Sequence, residues 1–216
     1  MATVRPGDQP VLLVVDLQVG VVANIWEGDR VVANAARSVA TARAAGVPVI
    51  WVQHADDELV HGSPEWQLAA GLEPADGEPI LHKHFNSSWE QTTLHDLLGE
   101  LGVTHVVLAG AATNWCIRAT AYGALERGYD LTLVKDAHST EPLEFADGRV
   151  VPAAHIIDDL NITARWVKMM TPDVALLDVG AKALTSAVNG AIAVIVSVPL
   201  AAAIRAAMRR GNIKLR

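Results

Sequence analysis

The chain has 216 residues, 51% of them hydrophobic and 19% charged, and a formal net charge of −7. That length holds one substantial α/β domain and is short for two. The acidic balance offers no basic field to attract phosphate, which excludes a general nucleic-acid or anionic-membrane binder, and the one cysteine cannot form an internal disulfide, so nothing points to an oxidising compartment.

The first ten residues, MATVRPGDQP, lack the apolar run of a signal peptide, and a cytoplasmic enzyme is expected. Residues 11–15 (VLLVV) form a continuous apolar run that suits a strand buried on both faces. Residues 30–45 carry apolar and small residues at helical spacing, with Gly46 as the stop. Residues 47–52 (VPVIWV) are the next strand. Residues 55–79, rich in Gly, Pro and acid, read as a long surface loop of the kind that lines a site. A short strand at 79–84 carries Lys83 at its end, and a helix at 92–101 has Thr92 or Thr93 as its cap. Then follow a strand at 105–109, a helix at 114–127 closed by Gly128, a strand at 130–134, and a helix at 152–166 with Pro152 in its first turn. These repeated β-α-β units predict a three-layer α/β/α domain with a mainly parallel central sheet and right-handed crossovers.

Sites in open parallel sheets gather at the carboxyl ends of the strands. Asp16, Lys83 and the turn at 110–116 each follow or end a predicted strand. Taken singly, each has a plain explanation: a helix cap, a solvated lysine, a buried small hydrophobe. The position of Cys116, just inside a predicted helix N-terminus, favours a reactive thiol, because unpaired N–H groups and positive potential there should lower its pKa. Gly110, Ala111 and Ala112 leave room for a substrate to approach the backbone.

Asp16 in VVDLQ, Lys83 in HKHFNSSW and Cys116 in GAATNWCIRATA, followed by GYDLTLVKDAHST and AAHIIDDLN, resemble in colinear order over residues 8–170 the isochorismatase-like cysteine hydrolases. The resemblance implies that fold and a hydrolase cleaving an amide-type C–N bond of a small molecule through a covalent acyl-enzyme, with no cofactor. Carried onto this chain, Cys116 is the nucleophile, Asp16 the base and Lys83 the helper. The backbone N–H groups of Ala112 and Cys116 form an oxyanion hole, and the peptide between Ala111 and Ala112 is cis. The cysteine favours the amidase branch, which includes nicotinamidases, N-carbamoylsarcosine amidase and streptothricin hydrolase-like proteins. Two alternatives stay open, an isochorismatase-type ether hydrolase and a non-catalytic assembly scaffold on the same fold. Nicotinamidases hold a metal through an Asp-x-His pair and a second His, whereas this chain offers His54, Asp56 and His61 in the reverse order, so no metal is expected. Gln18, Trp66, Phe85 and Trp89 are expected to line the substrate pocket, although Trp89 and Trp115 suit packing equally well. His138 and Asn161 match recurrent positions of the family and read as structural.

The resemblance ends near residue 176. Residues 183–204 carry no charge and precede Arg205, Arg209 and Arg210. That length could span a bilayer. Yet Asn189, Gly190 and Pro199 dilute it, and the reading is one or two Ala-rich helices buried in a homo-oligomer interface, with no membrane anchor. The chain thus divides into a hydrolase domain at 1–178 and an apolar extension at 179–216.

Overall fold

Each apolar run becomes a strand of one parallel sheet. The computed structural model describes residues 2–164 and 168–170. In chain order the strands are β1 (Pro10–Val15), β2 (Val49–His54), β3 (Ile80–Lys83), β4 (His105–Ala111), β5 (Asp130–Ser139), β6 (Leu143–Glu144), β7 (Val150–Val151) and β8 (Lys168–Met170). Among the described residues the main sheet has six strands in the order β3-β2-β1-β4-β5-β8, and every neighbouring pair is parallel. β6 and β7 form a separate antiparallel pair.

The helices are α1 (Val19–Val22), α2 (Gly28–Ala44), α3 (Leu94–Glu100), α4 (Arg118–Glu126) and α5 (Ala153–Thr163). Alternate residues of the strands feed two separate cores. Leu12, Val14, Trp51, Val107 and Ala109 pack with Val31, Ala35, Val39 and Ala42 of α2. Val11, Leu13, Val15, Ile50, Leu108 and Leu133 pack with Leu94 and Leu98 of α3, Ala121 and Ala124 of α4, and Leu160 of α5. The helices therefore cover both faces, as the β-α-β pattern predicts. Fully burying one such Leu, Ile or Val stabilises by about 1.5–3 kcal/mol, and these two layers hold the strand ends in register.

Several details differ from the sequence expectations. The helix expected from residue 114 begins as a π-turn, Thr113–Ile117, and the α-helix starts only at Arg118. β5 runs on to Ser139 because its pairing with β4 shifts register between Leu108 and Gly110, which lets it rejoin the ladder at His138. Pro152 caps α5 from outside instead of occupying its first turn. One of the two expected caps is in place: Thr93 occupies the cap of α3, without a side-chain bond, while the Thr92 hydroxyl oxygen accepts the Leu94 N–H at 3.3 Å.

Gly110 shows why the two central strands need a glycine. Its φ is +139°, and a Cβ there would lie 2.0 Å from the Val15 carbonyl oxygen. β1 and β4 thus come together at their carboxyl ends more closely than any side chain permits. No helix among the described residues is long and apolar enough to cross a membrane. The apolar extension expected at 179–216, with its assembly role, lies outside the described residues.

Candidate active site

β1 and β4 are neighbours, but the chain leaves β1 toward β2 and β3 on one side and leaves β4 toward β5 on the other. A crevice opens at such a switch point, outside the carboxyl ends of the strands. Asp16 follows the last residue of β1, Ala111 ends β4, and Lys83 ends β3. β3 lies two strands from β1, about 10 Å at ordinary spacing, so only a long side chain can close the gap. The Lys83 Nζ does so, 2.6 Å from Asp16 Oδ2. It also donates to Cys116 Sγ at 3.3 Å and to the Phe85 carbonyl at 3.2 Å.

The three side chains expected to act together therefore meet. Asp16 and Lys83 are 2% and 1% exposed, and Cys116 is 9% exposed. Asp16 sits in the left-handed backbone region at φ +53°, a conformation Asp tolerates better than most residues. Its N–H is tethered to the Val52 carbonyl at 2.8 Å. Neither Asp16 oxygen meets a donor in good hydrogen-bond alignment, so the 2.6 Å Lys83 contact is a close ion pair of poor angle. Burial raises the Asp16 pKa, opposed by the charge and close contact of Lys83 and then by Cys116 and His54.

The thiol behaves differently from the sequence expectation. Burial, and then the negative charge of Asp16, push Cys116 up to about 12, outweighing the opposing pull of Lys83. The expected lowering near a helix N-terminus does not survive this desolvation, because the positive ammonium is already shared with a carboxylate. The resting site holds a protonated thiol beside an ion pair.

The turn behind Cys116 has its own geometry. The Ala111–Ala112 peptide is cis, as the resemblance implies. The Ala112 carbonyl accepts the N–H groups of Trp115 and Ile117, both at 3.1 Å. From below, Thr113 Oγ1 pairs with His138 Nδ1 at 2.9 Å, and His138 Nε2 with Asn161 Oδ1 at 3.1 Å. This line joins the turn to β5 and α5. Burial lowers the His138 pKa to about 4, so the ring is neutral.

The four residues expected to line a pocket have varied surroundings. Phe85 is exposed and lends its carbonyl to Lys83. Gln18 is fully buried, and its amide is committed to backbone: it donates to the His54 and Trp66 carbonyls, both at 2.9 Å, and accepts the His54 N–H at 2.8 Å. It ties the 55–79 loop to the end of β2 and has no amide group left for a substrate. Trp66 is buried against His61 and His82, with ring centroids 4.4 and 5.3 Å away. Trp89 packs on Tyr129 and on Gly123, where a Cβ would lie 2.4 Å from its ring, and donates its indole N–H to the Thr120 carbonyl at 2.8 Å. Its place is under α4, in line with the packing reading.

Among the described residues no group of three or more His, Cys, Asp or Glu is placed to hold a metal ion. His61 turns to Trp66, while His54 Nε2 lies 2.9 Å from Asp56 Oδ2 and Nδ1 lies 3.4 Å from Lys83 Nζ. Sequence reasoning weighed His54 only as a metal ligand. The available signal was its place at the end of β2, which makes it the register partner of Lys83.

The chain matches the Isochorismatase domain over residues 10–151. It is 36% identical over 163 residues to a streptothricin hydrolase of Streptomyces noursei, covering 71% of this chain and 63% of that protein, so it spans less than two thirds of that relative's length. It is 36% identical over 89 residues to the maleamate amidohydrolase of Pseudomonas putida, covering 40% of this chain and 42% of that one. The crystal structure of an isochorismatase from Pseudomonas putida KT2440 superposes with a TM-score of 0.71 at 29% identity, covering 79% of this chain and 93% of the other.

Proposed function

Because the chain belongs to the isochorismatase family of hydrolases, we propose that it is a cysteine-dependent amidohydrolase of small molecules, acting through Cys116, Asp16 and Lys83. The observation that carries this reading is the meeting of three side chains from three strand ends, with Lys83 Nζ 2.6 Å from Asp16 and 3.3 Å from Cys116. The amidohydrolase relative supports the bond type. A metal-free site is part of the reading, since the chemistry below needs only these groups.

The steps follow from the charges. The Cys116 proton passes to the Asp16 carboxylate as Sγ attacks the amide carbonyl carbon, and the C=O electron pair moves to oxygen. The backbone N–H groups of Cys116 and Ala112 hold this oxyanion, a donor pair of the kind worth about 3 kcal/mol. Asp16, now protonated, gives its proton to the leaving nitrogen as the C–N bond breaks, leaving a thioester. Water then attacks, Asp16 takes its proton, and Sγ departs with that proton returned. Lys83 remains an ammonium throughout, facing Asp16 before transfer and the sulfur after it. A raised Asp16 pKa suits this exchange, because a carboxylate that binds protons more readily is a better base for a thiol.

The test is a panel of small primary and N-acyl amides with intact-mass trapping of the acyl-enzyme. A mass increase on Cys116 that a Cys116→Ala chain lacks, with turnover falling by about 10³-fold or more, is expected. Full turnover by Cys116→Ala would replace this reading with one in which Asp16 and Lys83 act without the thiol, as ether hydrolysis requires.

A further inference from the structure

An ammonium has three hydrogens and no lone pair. Around Lys83 Nζ stand four acceptors: Asp16 Oδ2, the Phe85 carbonyl, Cys116 Sγ and His54 Nδ1. Since Lys83 can only donate, His54 Nδ1 must carry its lone pair toward Lys83, and the ring hydrogen must sit on Nε2. That hydrogen has a receiver, Asp56 Oδ2 at 2.9 Å. Asp56 is itself held as an anion by the Leu59 and Glu58 N–H groups at 2.7 and 2.9 Å, which keep its carboxyl below the usual range. The His54 main chain is pinned on both sides by the Gln18 amide. Every freedom of this imidazole, its tautomer included, is therefore taken up.

We propose that His54, oriented by Asp56, is a positioning residue for Lys83, holding the ammonium toward the sulfur while negative charge moves from Asp16 to Cys116. This deepens the reading of Cys116 and Lys83 as the reactive pair. When Asp16 gains the thiol proton it ceases to be an anion and its hold on Lys83 weakens. The His54 lone pair does not change in that step. It keeps one hydrogen of the ammonium engaged, so that the others stay aimed at Sγ and the Phe85 carbonyl. Asp56–His54–Lys83 is thus a second line of polar contacts, entering the site from the 55–79 loop.

Cys116 is the chain's one cysteine, so alkylation by iodoacetamide reads this site alone and needs no substrate. The full-length chain is compared with His54→Asn, His54→Gln, His54→Ala and Asp56→Asn between about pH 7 and 10, with thermal unfolding recorded for each. Asn places an amide oxygen where Nδ1 stands, whereas Gln places its amide at the Nε2 position. His54→Asn should alkylate within about threefold of wild type, and His54→Gln and His54→Ala about tenfold more slowly, the rate equivalent of one hydrogen bond to a charged group. Asp56→Asn should fall between. A void-filling role for the ring would not separate Asn from Gln in that direction. Should His54→Ala fail to fold, the Asn and Gln pair carries the comparison alone. The inference is overturned if His54→Gln alkylates like wild type at every pH, or if Asn is as slow as Gln. A chain that shows the expected order yet cleaves no amide would lose the proposed function and keep this inference.

Discussion

Thr113 and Cys116 stand on one π-turn, and each joins a buried polar cluster. Thr113 joins His138 and Asn161 in a neutral line where each ring nitrogen has one partner. Cys116 joins Asp16 and Lys83, a close buried pair of opposite charge type whose carboxyl oxygens lack well-aligned donors. The first cluster resists change of charge, and burial drives the His138 pKa down to about 4. The second invites it, since burial raises both Asp16 and Cys116, so that one proton has two close homes. Complete pairing fixes a backbone turn; incomplete pairing leaves room for chemistry.

The sharpest way to break this comparison is Asp16→Asn. It leaves the Lys83 ammonium buried without its counter-charge, so stability should fall by about 3–5 kcal/mol in urea unfolding, and the proposed amide turnover should fall by about 10²–10⁴-fold with the proposed base removed. Unchanged stability would mean that the charged cluster stores no such cost.

The neutral cluster predicts a different signature, in pH. The folded His138 binds its proton only near pH 4, against 6.5 in its ordinary state. Between those values the unfolded chain binds a proton that the folded chain refuses. Stability from this residue is therefore complete above about pH 6.5 and declines as pH falls toward 4, by about 3 kcal/mol in all. Urea unfolding of wild type and His138→Gln across that window checks it: the variant should show a shallower decline, and parallel curves would remove His138 as the cause.

Thr113→Val is the mildest probe. It removes the hydroxyl that faces His138 Nδ1 and should cost about 1–2 kcal/mol, with turnover reduced by less than about tenfold, because the turn is loosened and no reacting group is lost. A loss of turnover as large as that of Asp16→Asn would show that the two clusters act as one.

Much of this contrast was legible from residues alone. The runs VLLVV and VPVIWV marked central strands because parallel strands are buried on both faces, and a polar residue closing such a run pointed to the site. Asp16, Lys83 and the turn that carries Cys116 were singled out by their places at strand ends, the family resemblance gave them their roles, and their meeting is what the fold adds. The π-turn was not legible, because Thr113–Ile117 has the same residue types as an ordinary first helical turn. Nor was the fate of Gln18, whose amide could face a ligand or backbone with equal propensity and is drawn inward by the carbonyls of His54 and Trp66. The thiol's shift went against the sequence expectation because it depends on how far Cys116 is buried and on where Asp16 stands, two quantities that only the packed sheet supplies. His54 lay in view but without a role, since its neighbour Lys83 is 29 positions away and reaches it through strand register.

The height of the Cys116 pKa bears on how long such a protein lasts in air. Peroxide and most other oxidants react with the thiolate and leave the thiol largely alone. With its proton held at ordinary pH, Cys116 spends its idle time in the form least open to sulfenic acid formation. In the proposed mechanism, durability toward oxidants and readiness for attack are governed by the same proton, and the sulfur is open to damage only while Asp16 holds it.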